Sequence, residues 1–435
     1  MNPSITAPDP GIRADSAGKS RTTIFVLAAA LVAFVLKLAI AFNTFGTNDV
    51  VTFYSFARSL ADHGLKWTYR QGIVWLPSSP IFNHPPLVAG FLRAIYYLDH
   101  QQFFRENGLS FPFLLRLPGI IADFVVVVAL LWLAKKDARF RLPAWALALF
   151  ALSPVSLMVS GFHGNTDPVM VMFLVLATVS ALRNNAILCG LFLAFACQIK
   201  IIPVLLLPIF FFFWLARRRS IPFALPFALA SLVLWAEPLV KFPLLFIRNV
   251  LSYGSFWGIW GITYWLRLTT WSQFARVSFF NLLPAQNVVV NILKVLVIGA
   301  VVAIAWRRRK LDERGLANSL AYAWIVFFVF APGACAQYMV WLAPFILILS
   351  PPFYLWLTVT SALFLFFFYN ITARGLPWYM SISTNTLNNA WTPWAVWPWA
   401  ALAAGLWFCW IKTKRGDASL RLFSFKTLPA ETRDQ

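Results

Sequence analysis

Long apolar runs closed by short polar or basic clusters set the pattern of this chain from residue 23 onward. A run of about twenty apolar residues, wound as a helix, matches the ~30 Å hydrocarbon core of a bilayer. About twelve such runs, some short or broken by proline, lie near 23–42, 113–134, 142–161, 168–183, 186–198, 199–216, 221–240, 284–306, 317–333, 338–350, 352–370 and 394–412. Basic clusters follow alternate runs: "KKDARFR" from Lys135, then Arg183, "ARRRS" from Ala216, "WRRRK" from Trp306 and "KTKR" from Lys412. A further cluster, "GKSR", precedes the first run. Lys and Arg concentrate on the cytoplasmic side of membrane proteins, so this alternation predicts an even number of crossings and two cytoplasmic termini. The fold class expected is an all-α polytopic membrane protein with about twelve transmembrane helices. Residues 1–22 are polar and expected to be disordered, 23–412 to form one membrane domain, and 413–435 to be a cytoplasmic tail.

Two segments interrupt the alternation, and the parity of the runs puts both on the outer side. Residues 43–112 are too apolar for a free linker. Within them, "NDVVTFYSFARSLADHG" spaces Val51, Tyr54, Phe56 and Leu60 at roughly helical intervals, which predicts amphipathic helices lying in the interface. Residues 241–283 hold "FPLLFIRNVLSYGSFWGIWGITYWLRLTTW", whose Trp, Tyr and Gly, broken by Arg248 and Arg267, also suit the membrane surface.

Composition sharpens this picture. Of 435 residues 60% are hydrophobic and 12% charged, too little charge to cover a soluble protein of this size. The net charge of +21 sits between apolar runs, so it reads as topology rather than as a nucleic-acid surface. Cys189, Cys197, Cys335 and Cys409 lie in apolar segments without a close pair and read as small buried hydrophobes. No spacing meets a strong metal-site template, although Asp49, His163 and Asp167 are a conceivable set, and no nucleotide-binding glycine loop or Ser-His-Asp arrangement is present, so no cofactor is expected.

The polar residues that remain gather on the outer side. In "SGFHGNTDPVMVMFLVLA", Asn165 or Asp167 suits the cap of the fourth helix with Pro168 in its first turn, but His163 has no such explanation. Asp49 opens the first outer loop, either as a helix-start residue or as a general base that deprotonates an attacking hydroxyl. His84 precedes Pro85 and Pro86, which lead into a helix near Leu87; it either packs or binds a ligand. Arg116 and Asp123 stand about two turns apart in the second run, where charges face a cavity or pair with one another. Lys200 has no acid nearby in sequence, and it either snorkels or holds a phosphate. Gln198, Gln337, Tyr338 and Arg374 complete the outer polar set.

The order of these features resembles the C-type (GT-C) membrane glycosyltransferases, and most of all the dolichyl-phosphate-glucose-dependent glucosyltransferases of N-glycan assembly and related multi-span mannosyltransferases. "NDVVTFYSFARSLADHGLKW" is similar to the family's acidic first-loop motif, and "FNHPPLVAGFL" to its Tyr-Pro-Pro turn, with His84 in place of the tyrosine. "LRLPGIIADF", "GFHGNTDPVMVMFLVLA" and "FACQIKIIPVLLLP" resemble its second-span, fourth-span and lysine-bearing segments, and "FPLLFIRNVLSYGSFWGIWGI" its surface segment. The family's late His-Glu-Lys motif is replaced by "CAQYMVW". The resemblance implies an inverting transferase that moves a hexose, mannose or glucose, from a polyprenyl-phosphate-linked sugar donor to a glycan or glycolipid acceptor at the non-cytoplasmic face. Asp49 would be its catalytic base, and His84, Asp123, His163, Asn165, Asp167, Lys200, Gln337 and Arg374 its substrate-binding set. The partners expected are thus this donor, this acceptor and membrane lipids, with no nucleic acid. The expected setting is a bacterial cell membrane, with the endoplasmic reticulum membrane as the alternative. A transporter or lipid-linked-sugar flippase is the rival function.

Overall fold

A computed structural model describes residues 10–73, 81–140, 142–251, 256–278, 281–372 and 393–415, with side chains from residue 20 onward. Among the described residues the chain is helical apart from one antiparallel bridge between Trp257 and Ser278. In order, the helices are α1 Pro10–Asn43, α2 Asn48–Gln71, α3 Pro86–Asp99, α4 Gln102–Glu106, α5 Phe111–Lys136, α6 Ala144–Ala151, α7 Pro154–Ser156, α8 Asp167–Leu182 and α9 Ala186–Ile199. They continue with α10 Leu207–Ala216, α11 Ser220–Leu234, α12 Ala236–Lys241, α13 Pro243–Phe246, α14 Gly261–Arg267, α15 Pro284–Arg308, α16 Glu313–Phe330, α17 Ala343–Leu349, α18 Pro351–Thr372 and α19 Val396–Lys414.

The all-helical membrane fold is as expected, with fewer long spans than the roughly twelve apolar runs. Among the described residues six segments are long and apolar enough to cross a membrane: Ser20–Asn43, Phe111–Lys136, Ala144–His163, Pro284–Arg308, Pro351–Thr372 and Pro393–Lys414. The apolar runs near 168–183, 186–198, 199–216, 221–240 and 338–350 fold instead as helices of 10–17 residues. The cause is physical: at 1.5 Å per residue, α8 with its 16 residues is roughly 24 Å long, short of the ~30 Å core. The chain is an integral, multi-pass membrane protein.

One continuous apolar core runs from Val26 to Cys409. In it α8 packs on α5 and α9, α9 packs on α11, and α15 packs on α10 and α16. The basic clusters converge on one end of these helices. Arg139 pairs with Asp137 at 2.7 Å and with Glu313 at 2.5 Å. Arg314 donates to the Arg139 carbonyl, Arg217 to that of Leu311 and Arg219 to that of Asn184.

The first outer loop is helical, as the apolar spacing predicts, but α2 buries a different face. Val50, Phe53, Phe56, Ala57 and Leu60 face inward, whereas Val51 is exposed. The buried stripe runs i, i+3, i+7, i+10 from Val50 through Phe53, Ala57 and Leu60, whereas the same spacing from Val51 reaches Arg58. The Arg116–Asp123 pairing considered from sequence is also absent. Asp123 accepts from Lys37 Nζ and Ser156 Oγ, each at 2.6 Å, and this ties α5 to α1 and α7.

Candidate functional site

The site forms where α2 begins, because the chain there turns sharply against the end of the third apolar run. Gly46 holds φ at +98°, and a Cβ there would lie 2.8 Å from the Phe162 carbonyl oxygen. Only glycine combines that backbone with that approach. Thr47 follows as the N-cap of α2; its hydroxyl accepts from the Asp49 backbone N–H at 3.3 Å and donates to the His163 carbonyl at 2.8 Å.

The opposing wall is a stretch of π-helix, Leu157–His163. Such a wide turn leaves terminal carbonyls that need donors. Arg116, 1% exposed, supplies them to Gly161 at 3.0 Å and Phe162 at 3.1 Å, and it also bonds the carbonyls of Ala41 and Thr44. Arg116 is therefore the clamp that joins α5 to the end of α1 and to the π turn. Gly164 then reverses the chain at φ +82°, where a Cβ would meet Val50 at 2.4 Å.

These turns aim four side chains at one point. Asp49 Oδ2 lies 3.0 Å from His163 Nε2, and it accepts from Asn165 Nδ2 at 2.9 Å and from Gln337 Nε2 at 3.2 Å. No described residue hydrogen-bonds its Oδ1, and the side chain is 36% exposed. His163 Nδ1 meets the Tyr369 hydroxyl at 2.9 Å. Because a carboxylate only accepts, Nε2 carries the proton in this network. Burial works to raise the Asp49 pKa, but the charge of His163 and the bonds from His163 and Asn165 outweigh it and hold the carboxyl below its usual value.

The second layer is ionic. Lys200 Nζ approaches Asp167 Oδ1 to 2.5 Å, and both side chains are nearly or fully buried. The contact combines opposite charge with a hydrogen bond from the lysine, which offsets the cost of burying both groups. The amide of fully buried Gln198, by contrast, has no hydrogen-bond partner among the described residues. Lys200 also lies 4.8 Å from the centre of the Tyr338 ring and 5.3 Å from that of Trp341, a cation–π cage. Tyr338 lines an apolar cavity of about 730 Å³, together with Ile201, Leu205, Phe227, Val297 and Pro332. His84 packs between Phe53 and Phe82 and faces the Ile199 carbonyl at 3.4 Å.

The structure thus brings Asp49, His163, Asn165 and Gln337 into direct contact and joins Asp167 to Lys200 beside them. Sequence leaves Lys200 without an acid, whereas the fold supplies Asp167 from 33 residues upstream. Asn165 does serve the start of α8, its Oδ1 accepting from the Asp167 N–H at 3.0 Å, although Thr166 occupies the cap position. Asp123 stands apart with Lys37, and Arg374 lies outside the described residues. Sequence reasoning missed Tyr369, Thr47 and the clamp role of Arg116. A lysine within the first apolar run was the available signal for Lys37, but a tyrosine ending an aromatic run carries none.

A family model described as PIG-U, GPI transamidase subunit PIG-U, matches residues 27–280. No curated protein matches the chain. The matched stretch contains Asp49, His84, the His163–Asp167 turn and Lys200, and ends before Gln337 and Tyr369. A family of transamidase subunits is not a family of hexosyltransferases. The match therefore overturns the expectation that the chain is a glycosyltransferase enzyme. What survives of the GT-C resemblance is a multi-pass membrane protein.

Proposed function

Because this chain belongs to the PIG-U family of GPI transamidase subunits, we propose that it receives an amphiphilic glycolipid within the membrane. It binds the lipid's hydroxyl-rich head at Asp49 and its apolar tail in the adjoining cavity. The observation that carries this reading is the junction itself. A charged carboxylate with one unmatched oxygen sits one residue-layer from an apolar chamber of about 730 Å³, with Gln337 on the polar side and Tyr338 on the apolar side. That volume falls in the range of ligand pockets, which combine apolar walls with a few fixed polar groups. Buried polar atoms without partners are rare, so the unmatched amide of Gln198, two residues before Lys200, adds capacity for a polar ligand or water. Lys200, already neutralised by Asp167, holds the wall together rather than waiting for a leaving phosphate.

The setting that suits a GPI transamidase subunit is the endoplasmic reticulum membrane rather than a bacterial cell membrane, and its partners are the other subunits of such an assembly. A sugar donor has no place in this reading. The flippase alternative finds less support, because the intramembrane carboxylate it would use, Asp123, is already held by Lys37 and Ser156.

The test is a binding measurement in nanodiscs, with a fluorescent GPI-type glycolipid compared with the same diacyl lipid lacking the glycan. Asp49→Asn is expected to weaken the glycan-bearing lipid by about tenfold or more, the worth of one charge-assisted hydrogen bond, and to leave the other lipid unchanged. Val297→Trp, which fills the cavity, should weaken both. Equal wild-type affinity for both lipids, unaltered in Asp49→Asn, would overturn the proposal.

A further inference from the structure

At the opposite, cation-rich end of the molecule the C-termini of α10 and α15 flank a cleft of about 430 Å³. It is lined by Leu215, Ala216, Arg217, Trp306, Arg309 and Lys310, three cations and no carboxylate. Two acids stand beside it: Glu313 Oε1 lies 3.8 Å from Arg217 Nη2, and the charge of Asp312 also acts on Arg217. We propose that this cleft binds the phosphate headgroup of an anionic phospholipid.

Two features distinguish it from a general basic surface. The guanidinium groups are held in place: Arg217 stacks 3.6 Å from the centre of the Phe213 ring, and Arg309 stacks 3.6 Å from that of Trp306. Each also donates to a carbonyl of its own helix end, Arg217 to Phe213 and Arg309 to Trp306. Those bonds matter because helix C-termini carry about half a negative charge each, which opposes an anion. The arginines cover these carbonyls and add full positive charge. Arg309 keeps donors that no described residue takes, and no described residue pairs with the Lys310 ammonium. Bidentate guanidinium donors with a neighbouring ammonium match the geometry of phosphate.

The second feature selects a lipid over a soluble anion. Leu215 is 43% exposed and Trp306 50% exposed, so the floor of the cleft is open apolar surface at the membrane boundary. Tryptophan favours that depth, and the cytoplasmic leaflet supplies the negative charge. A phosphate bound there leaves its acyl chains against Leu215 and Trp306.

The experiment uses the full chain, delipidated in detergent, and measures binding of phosphatidic acid and of phosphatidylcholine, with inorganic phosphate as competitor. Wild type should prefer phosphatidic acid. The double variant Arg309→Gln, Lys310→Gln should lose about twenty-fivefold in that affinity, roughly fivefold per cation. Lys135→Gln, Lys136→Gln removes equal charge from the same end outside the cleft and should change it by less than about twofold. Equal losses in both double variants would show a diffuse positive surface and overturn the site. Full competition by millimolar phosphate would overturn the lipid as its source. Lys310→Gln alone, at an exposed side chain, supplies the fivefold step should the double variant misfold.

Discussion

At Asp49 one carboxylate oxygen takes three donors while the other faces the opening, and that asymmetry gives the residue its place in the site. Sequence marks Asp49 as a candidate because few carboxylates fall on the outer side, but its partners come from residues 114 to 288 positions away. His84 shows the reverse case. Sequence leaves it between packing and ligand binding, and the fold buries it between Phe53 and Phe82. Desolvation first, then the Lys200 charge, pushes its pKa down to about 4. The imidazole is therefore neutral when folded but protonates near 6.5 when unfolded. Its stabilising contribution is complete above pH 6.5 and is lost as pH falls toward 4, by up to about 3 kcal/mol. Melting temperature measured from pH 7.5 to 4.5 should fall with acid, and His84→Gln should flatten that slope. An unchanged slope would show that other groups carry the acid sensitivity.

At the scale of elements, the junction between α2 and the π turn depends on backbone that only glycine can adopt. Gly46→Ala brings together a strained φ and a 2.8 Å approach to the Phe162 carbonyl, so a destabilisation of about 1–3 kcal/mol is expected. Its readout is the unfolding temperature in detergent, with a larger loss of glycolipid binding than an equally destabilising change in α15 produces. If stability is unchanged, the turn is not the rigid support of Asp49. Element positions were largely legible. The Pro-Pro step predicts a helix near Leu87 and α3 begins at Pro86, while the amphipathic stretch from Asn48 becomes α2. Which face α2 buries was partly legible: of Val51, Tyr54, Phe56 and Leu60, the positions that predict the helix, Phe56 and Leu60 are buried and Val51 is exposed, while the fully apolar stripe starts at Val50. The π turn left no trace either, since "LMVSGFH" reads as ordinary helix.

For the whole molecule, the basic clusters join one end and the Asp49 cluster lies at the other, which predicts opposite exposure across the membrane. Cysteine at Glu106, beyond α3, and at Lys136, at the end of α5, should react with a membrane-impermeant maleimide from opposite faces of sealed vesicles. Labelling of both from the same face would overturn that orientation. The family match replaces the glycosyltransferase expected from resemblance with membership of the PIG-U family, a correction that no single motif could have supplied. By itself the sequence determined that this chain is helical, lies in a membrane and carries basic clusters after alternate apolar runs. Those properties follow from local hydrophobicity and charge, which act residue by residue. Only the tertiary structure decided that five of the apolar runs form helices of 10–17 residues, that Lys200 meets Asp167, and that Gln337 and Tyr369 complete the cluster at Asp49 and His163. Such pairings join distant parts of the chain, and their energies depend on burial and direction, which no stretch of sequence contains alone.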